Sequence, residues 1–158
     1  MKRLAAIAFG LALTAVGSAQ DPGVPVLGFA SMTFGSGCGT GPVSFDPPAG
    51  VVFNDGSSES FSVSGLSSST LASVLVMSAF EGAVDLTAFG MTSCTLYLGP
   101  VAATFPMTLD TVGGAATSFP VGPLPPAMLF WQVLVLSPGE NPFGIVTSDG
   151  LRWDPEFI

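Results

Sequence analysis

Glycine and proline cut this chain into short lengths, and that limits the folds open to it. The 158 residues include 20 glycines and 14 prolines. After residue 19, one or the other recurs about every ten positions through most of the chain. Between them lie runs rich in Val, Phe, Thr, Leu and Ile. Short apolar runs bounded by turn residues at this spacing specify an all-β fold, a sandwich or barrel. The longest later stretch free of both residues, 66–81, is the one place for a helix. It opens on Ser and Thr and closes on a continuous apolar run, which reads as turn and then strand. Strands are expected at 26–34, 42–45, 51–53, 59–64, 71–80, 85–89, 94–98, 102–109, 117–120, 127–136, 145–147 and 151–153.

Two of these carry the clearest patterns. Ser60-Phe61-Ser62-Val63-Ser64 alternates strictly, so Phe61 and Val63 should face a core and the serines solvent. Residues 127–136 are apolar on both faces except at Gln132. Such a run specifies a central strand covered on both sides, and it is too short for a membrane span. Asn54-Asp55-Gly56 and Ser148-Asp149-Gly150 are expected to be hairpin turns, with Gly at the positive φ. No domain boundary and no repeat is evident.

The N-terminus has the form of an export signal. Lys2 and Arg3 precede an apolar stretch from Leu4 to Val16, and Gly17-Ser18-Ala19 supplies small residues before a cleavage point at Gln20. An apolar run of about 13 residues is short for a bilayer core that needs roughly 20. A lipoprotein anchor would need a cysteine where Gln20 stands. The expected organisation is a signal peptide over 1–19, an N-terminal segment over 20–33 holding the first strand, and a β-sandwich domain over 34–158. Cleavage removes two of the three basic residues. The formal charge then moves from −8 to −10, because all eleven carboxylates lie further on. So acidic a surface repels phosphate backbones, which excludes nucleic acid as a partner, and it disfavours anionic membranes.

Cys38 and Cys94 are the only thiols. In an exported chain an even count favours a disulfide between them. Without histidine or a C-x-x-C spacing they suit neither a metal site nor a redox pair. The link closes a loop of about 57 residues, which the chain-entropy account values at roughly 4 kcal/mol.

Gly35-Ser36-Gly37-Cys38, Ser93-Cys94-Thr95-Leu96, Phe130-Trp131-Gln132-Val133 and Ser148-Asp149-Gly150-Leu151 form an ordered set. The set resembles the β-sandwich module, often C-terminal, of secreted proteins from planctomycetes and similar bacteria. The resemblance covers roughly residues 34–157. It implies a disulfide-containing sandwich that is usually an appendage of a larger protein and has no assigned catalytic residues, so no functional residue is carried over.

The chemical inventory is narrow. There is no histidine, and Arg152 is the only basic residue after the signal, so catalysis would have to rest on paired carboxylates. Asp110, in Leu-Asp-Thr-Val-Gly, lacks the spacing and the second copy of an aspartic-protease motif and reads as a turn residue. Asp149, Asp154 and Glu156 gather near Arg152, as exposed ion pairs often do. Oxygen ligands alone could hold calcium: Asp55, Ser57 and Glu59 step by twos through one loop, and Asp46 could approach, though the spacing is not that of an EF-hand. The alternation Gly35-x-Gly37-x-Gly39-x-Gly41 lacks the spacing and the lysine of a phosphate loop and reads as a tight turn around Cys38. Among the aromatics, Trp131 belongs to the core. Trp153, flanked by Arg152 and Asp154, is the one indole placed to stack on a sugar ring, and Tyr97 is the only tyrosine.

The expectation is therefore a single antiparallel β-sandwich, Ig-like or jelly-roll-like, with one disulfide. Its function is that of a non-catalytic secreted structural or interaction module, meeting a component of the cell envelope or extracellular matrix, with no cofactor required. The alternative is a carbohydrate-binding module using Trp153, Arg152 and Asp154, with polysaccharide as partner and calcium at Asp55, Glu59 and Asp46. An acid-pair hydrolase is the remote third. Oligomeric state and exposed sheet edges are left open.

Overall fold

A computed structural model describes residues 27–47, 51–122 and 124–157. The export signal expected at 1–19 lies outside them, as does the start of the 20–33 segment. Twelve strands follow in order: β1 (Leu27–Phe34), β2 (Ser44–Asp46), β3 (Val51–Phe53), β4 (Ser58–Ser64), β5 (Ala72–Ser78), β6 (Glu81–Asp85), β7 (Thr95–Leu98), β8 (Val101–Pro106), β9 (Thr108–Leu109), β10 (Ala115–Pro120), β11 (Leu129–Leu136) and β12 (Ile145–Phe157), with a single 3₁₀ turn at Thr87–Phe89. They form a six-stranded sheet ordered β3-β1-β12-β11-β5-β8, a four-stranded sheet β2-β4-β10-β9, and a two-stranded sheet β6-β7. Every pairing is antiparallel. The described residues are thus all-β, and β1 is built into the same sheet as β12.

The alternating serine strand does as its period dictates. In β4, Phe61 and Val63 are buried while Ser58, Ser60 and Ser64 are exposed. Phe61 lies 5.0 Å from Trp131 of β11 and 5.1 Å from Trp153 of β12, ring centre to ring centre. Those contacts seat the four-stranded sheet against the six-stranded one. Phe29 and Phe119 extend the same aromatic core. β11 is central and buried from Leu129 to Val133. Its odd-numbered residues join the aromatic core, while Phe130, on the other face, packs with Val76 of β5 and Leu98 of β7 in a second, smaller core.

Gln132 is the polar residue on that second face, and it is fully buried. Its amide is satisfied three times. Tyr97 N–H donates to Oε1 at 2.9 Å, and Nε2 donates to the carbonyls of Thr95 and Ser148, each at 2.8 Å. One side chain therefore ties β7 to β11 and β12. The disulfide lies nearby: Cys38, after β1, bonds Cys94, before β7, with their Cα atoms 5.1 Å apart.

Three expectations change here. Ser148-Asp149-Gly150 is no hairpin turn; β12 runs through it as one strand of 13 residues. The turn-like residues form a bulge instead, with Ser148 and Asp149 inserted opposite Val133, whose N–H donates to Ser148 Oγ at 2.9 Å. Gly150 is required by close packing, since a Cβ there would stand 2.5 Å from the Phe34 ring. Second, Asn54-Asp55-Gly56 does turn, with Gly56 at φ 86°. It joins β3 to β4, which lie in different sheets, and so makes no hairpin. Third, the strand expected at 85–89 stops at Asp85. Asp85 accepts the Thr87 N–H and the chain reverses through the 3₁₀ turn and a left-handed Gly90.

Replacing Gln132 by Leu keeps the volume but leaves one N–H and two carbonyls inside the protein without this partner. The expected cost is about 2–4 kcal/mol, read as a lower urea midpoint at unchanged slope. A cost below about 0.5 kcal/mol would mean the amide does not hold β7 in place.

Candidate functional site

Strand geometry decides the fate of the expected sugar platform. Successive residues of a strand face opposite sides, so Trp153 cannot share a surface with Arg152 and Asp154. The indole is 0% exposed and stacks on Phe29 at 5.5 Å. Arg152 and Asp154 lie on the outer face, where Nε and Nη2 of the arginine reach Asp154 Oδ2 at 3.0 and 2.9 Å. The three-residue ligand cluster is thereby corrected to an ordinary half-exposed ion pair over a core tryptophan. The alternation Leu-Arg-Trp-Asp was the signal that separates them.

The expected calcium ligands are not brought together either. Asp55 sits in the β3–β4 turn and accepts the Ser57 N–H at 2.8 Å. The Ser57 hydroxyl, with help from that N–H, holds its carboxyl below the usual range. Glu59 lies on β4 opposite Phe119, whereas Asp46 lies on β2 opposite Ser62. Glu59 and Ser62 are three positions apart, about 10 Å along the strand, and differ in face. Among the described residues, no three Asp, Glu, His or Cys side chains are grouped to hold a metal ion.

The other carboxylates serve the backbone. Asp110 accepts the N–H groups of Gly114 at 2.7 Å and Val112 at 2.8 Å, closing the β9–β10 turn, and these bonds lower its pKa. Asp85 is lowered by Thr87, through the hydroxyl and then the N–H. Glu140 is lowered by Thr40 in the same order, and this bond ties the β11–β12 loop to the loop around Cys38. Asp149 behaves differently. The bulge turns it away from Arg152 toward β2, where Oδ1 accepts the Phe45 N–H at 2.8 Å. Burial pushes its carboxyl up despite that bond, and the Asp46 charge adds to the rise.

What the sequence reading missed is a surface. β6 and β7 cover only part of the outer face of the six-stranded sheet. The uncovered end is a shallow groove of about 270 Å³ lined by Ala72, Val74, Leu134, Leu136 and Ile145 among others. Leu136 is 42% and Ile145 37% exposed. These residues read as buried in a linear pattern, because the length of β7 that would cover them is not visible in it. No protein-family model matches the chain, and no curated protein or solved structure is significantly similar to it.

Asp149 gives a pH signature. Its raised pKa means that the folded protein holds this proton more tightly than the unfolded chain does. Its contribution to stability therefore falls as pH rises from 3.8 through the raised value. Asp149→Asn keeps an acceptor for Phe45 without the charge. The melting-temperature difference, variant minus wild type, should grow between about pH 3 and pH 7; a constant difference would refute the assignment. With the calcium ligands dispersed, a chelator should leave the melting temperature unmoved.

Proposed function

We propose that this protein is an exported, non-catalytic β-sandwich module of the cell envelope or extracellular matrix, acting by apolar contact with a partner. The six- and four-stranded sheets facing each other across the aromatic core are the two layers of the sandwich, and the β6–β7 sheet is a partial third. The observation that carries the reading is the exposed groove at Val74, Leu134, Leu136 and Ile145 on a chain of net charge −8. Contiguous exposed apolar surface is where partners dock.

Other features support it. The Cys38–Cys94 disulfide suits an oxidising compartment, in keeping with the export signal read at 1–19. No helix among the described residues is long and apolar enough to cross a membrane. Asp55, Asp85, Asp110 and Glu140 are engaged as turn and loop acceptors. The resemblance to secreted sandwich modules points the same way. The carbohydrate reading lost its aromatic face when Trp153 entered the core.

Fractionation tests the proposal. The native protein should stay with washed envelope material through high salt and chelator, since an apolar contact is not screened by ions, and should be released by mild detergent. Recovery free in the medium, or release by salt alone, would sink it.

A further inference from the structure

The two layers of the sandwich are unlaced along one side. β9 pairs only with Ala115 and Ala116, so Thr117–Pro120 of β10 have no strand on that flank among the described residues. β8 is the last strand of the facing sheet. Between the layers here lies a cleft of about 230 Å³, with Met77, Phe105, Phe119, Leu124 and Trp131 among its walls. Pro120 and Gly122 are its exposed rim, whereas Trp131 is 1% exposed. Phe61, Phe119 and Phe105 run outward from the core as a stack. Successive ring centres are 5.1 and 4.2 Å apart, each pair within 8° of parallel. Trp131 lies tilted beside all three, at 5.0, 5.7 and 6.1 Å. Its Nε1–H has no hydrogen-bond partner among the described residues. Buried donors are nearly always paired, because an unpaired one is costly. Trp153 Nε1 is unpaired too, but Trp153 is not a wall of the cleft.

We propose that this cleft binds a small neutral aromatic molecule of the phenol class, a single ring whose oxygen accepts the Trp131 Nε1–H. Size sets the first limit: a cavity of roughly 150 Å³ already holds benzene, so there is room here for one substituted ring. The walls set the second. Three aromatic rings favour a planar aromatic guest, through offset and edge contacts, over an alkyl body of like volume. Charge sets the third. No charged residue is among the walls, and so acidic a chain repels anions, which selects phenols over aromatic acids. The unpaired N–H sets the fourth, since a plain hydrocarbon leaves it unsatisfied. Bulk water does not reach Nε1, and the flexible Met77 side chain is the wall that shifts to admit the oxygen. A free phenol and a partner's tyrosine carry the same chemistry, and the small volume favours the free molecule. The site goes beyond the role proposed above and does not depend on it, because the outer groove lies on the opposite face of the six-stranded sheet.

Nuclear magnetic resonance of isotope-labelled methionine methyl groups, with phenol as the titrant, tests the site. A ring bound against Met77 shifts its methyl signal, which Met77→Leu assigns by its loss. The expected result is a saturable shift confined to Met77, with a dissociation constant of about 1 mM or below. Benzene, which lacks the acceptor, should bind about fivefold more weakly. Cyclohexanol, which lacks the aromatic ring, and N-acetyltyrosinamide, which adds a peptide backbone, should also bind more weakly than phenol. Leu124→Phe fills the cleft with a ring and should abolish the shift. Trp131→Phe removes the donor and should make phenol and benzene equal. The signals of Met32, Met91, Met107 and Met128 report whether each variant is folded. A wild type without a saturable Met77 shift overturns the proposal, whatever the variants do. So does benzene or cyclohexanol binding as tightly as phenol, tighter binding of the tyrosine derivative, or wild-type behaviour in either folded variant.

Discussion

The contact of Phe61 with Trp131 and Trp153 is the joint on which the rest of the molecule depends. It joins β4 of the four-stranded sheet to two consecutive strands of the six-stranded sheet, β11 and β12, which lie more than 60 residues further along the chain. The two indoles are 4.9 Å apart, and Phe61 lies about equally far from each. Aromatic pairs in such offset and tilted arrangements contribute about 0.5–1.5 kcal/mol each beyond the area they bury. The larger effect is geometric, because burying Trp153 sets the face of β12. That choice puts Arg152 and Asp154 outside and hands the register on to β1.

The second face of the central sheet is organised by different physics. A purely apolar β11 would be indifferent to what lay across from Phe130. Gln132 removes that freedom, because an amide in a dry interior demands particular partners. Its three bonds fit only if β7 lies where it does and if β12 carries the bulge that presents the Ser148 carbonyl. The disulfide fixes the same region covalently. The β6–β7 sheet is thus held chiefly by the Gln132 amide, the S–S bond and a small core around Leu98, with Thr147 and Phe34 adding contacts to Thr95 and Tyr97, while the two large sheets share a broad aromatic core.

Much of the fold was legible because strand period and turn residues are local signals. Phe61 and Val63 alternate with serines and are buried accordingly; residues 129–133 are covered on both faces, though the end of the strand at Leu136 is not; Cys38 meets Cys94. What was not legible is what depends on pairing across distance. Ser148-Asp149-Gly150 has the composition of a turn and forms a bulge because Val133 and Phe34 stand opposite it. Asn54-Asp55-Gly56 turns as expected but carries the chain between sheets, a fact no local pattern contains. The candidate sites failed for a related reason. Arg152, Trp153 and Asp154 are adjacent in sequence, but alternation parts them. Asp46 comes close to Asp149, more than a hundred positions away, instead of to Asp55 and Glu59.

The burial of both tryptophans at one joint has an optical consequence. They are the protein's only indoles, each at most 1% exposed, and both lie at the contact between the two large sheets. Their emission therefore reports whether those sheets are together, and it responds as one signal because the rings share a core. A ligand settling on the outer groove would leave it unchanged. In this protein tryptophan fluorescence is a gauge of layer separation, and a silent result in a binding titration carries no information about the surface.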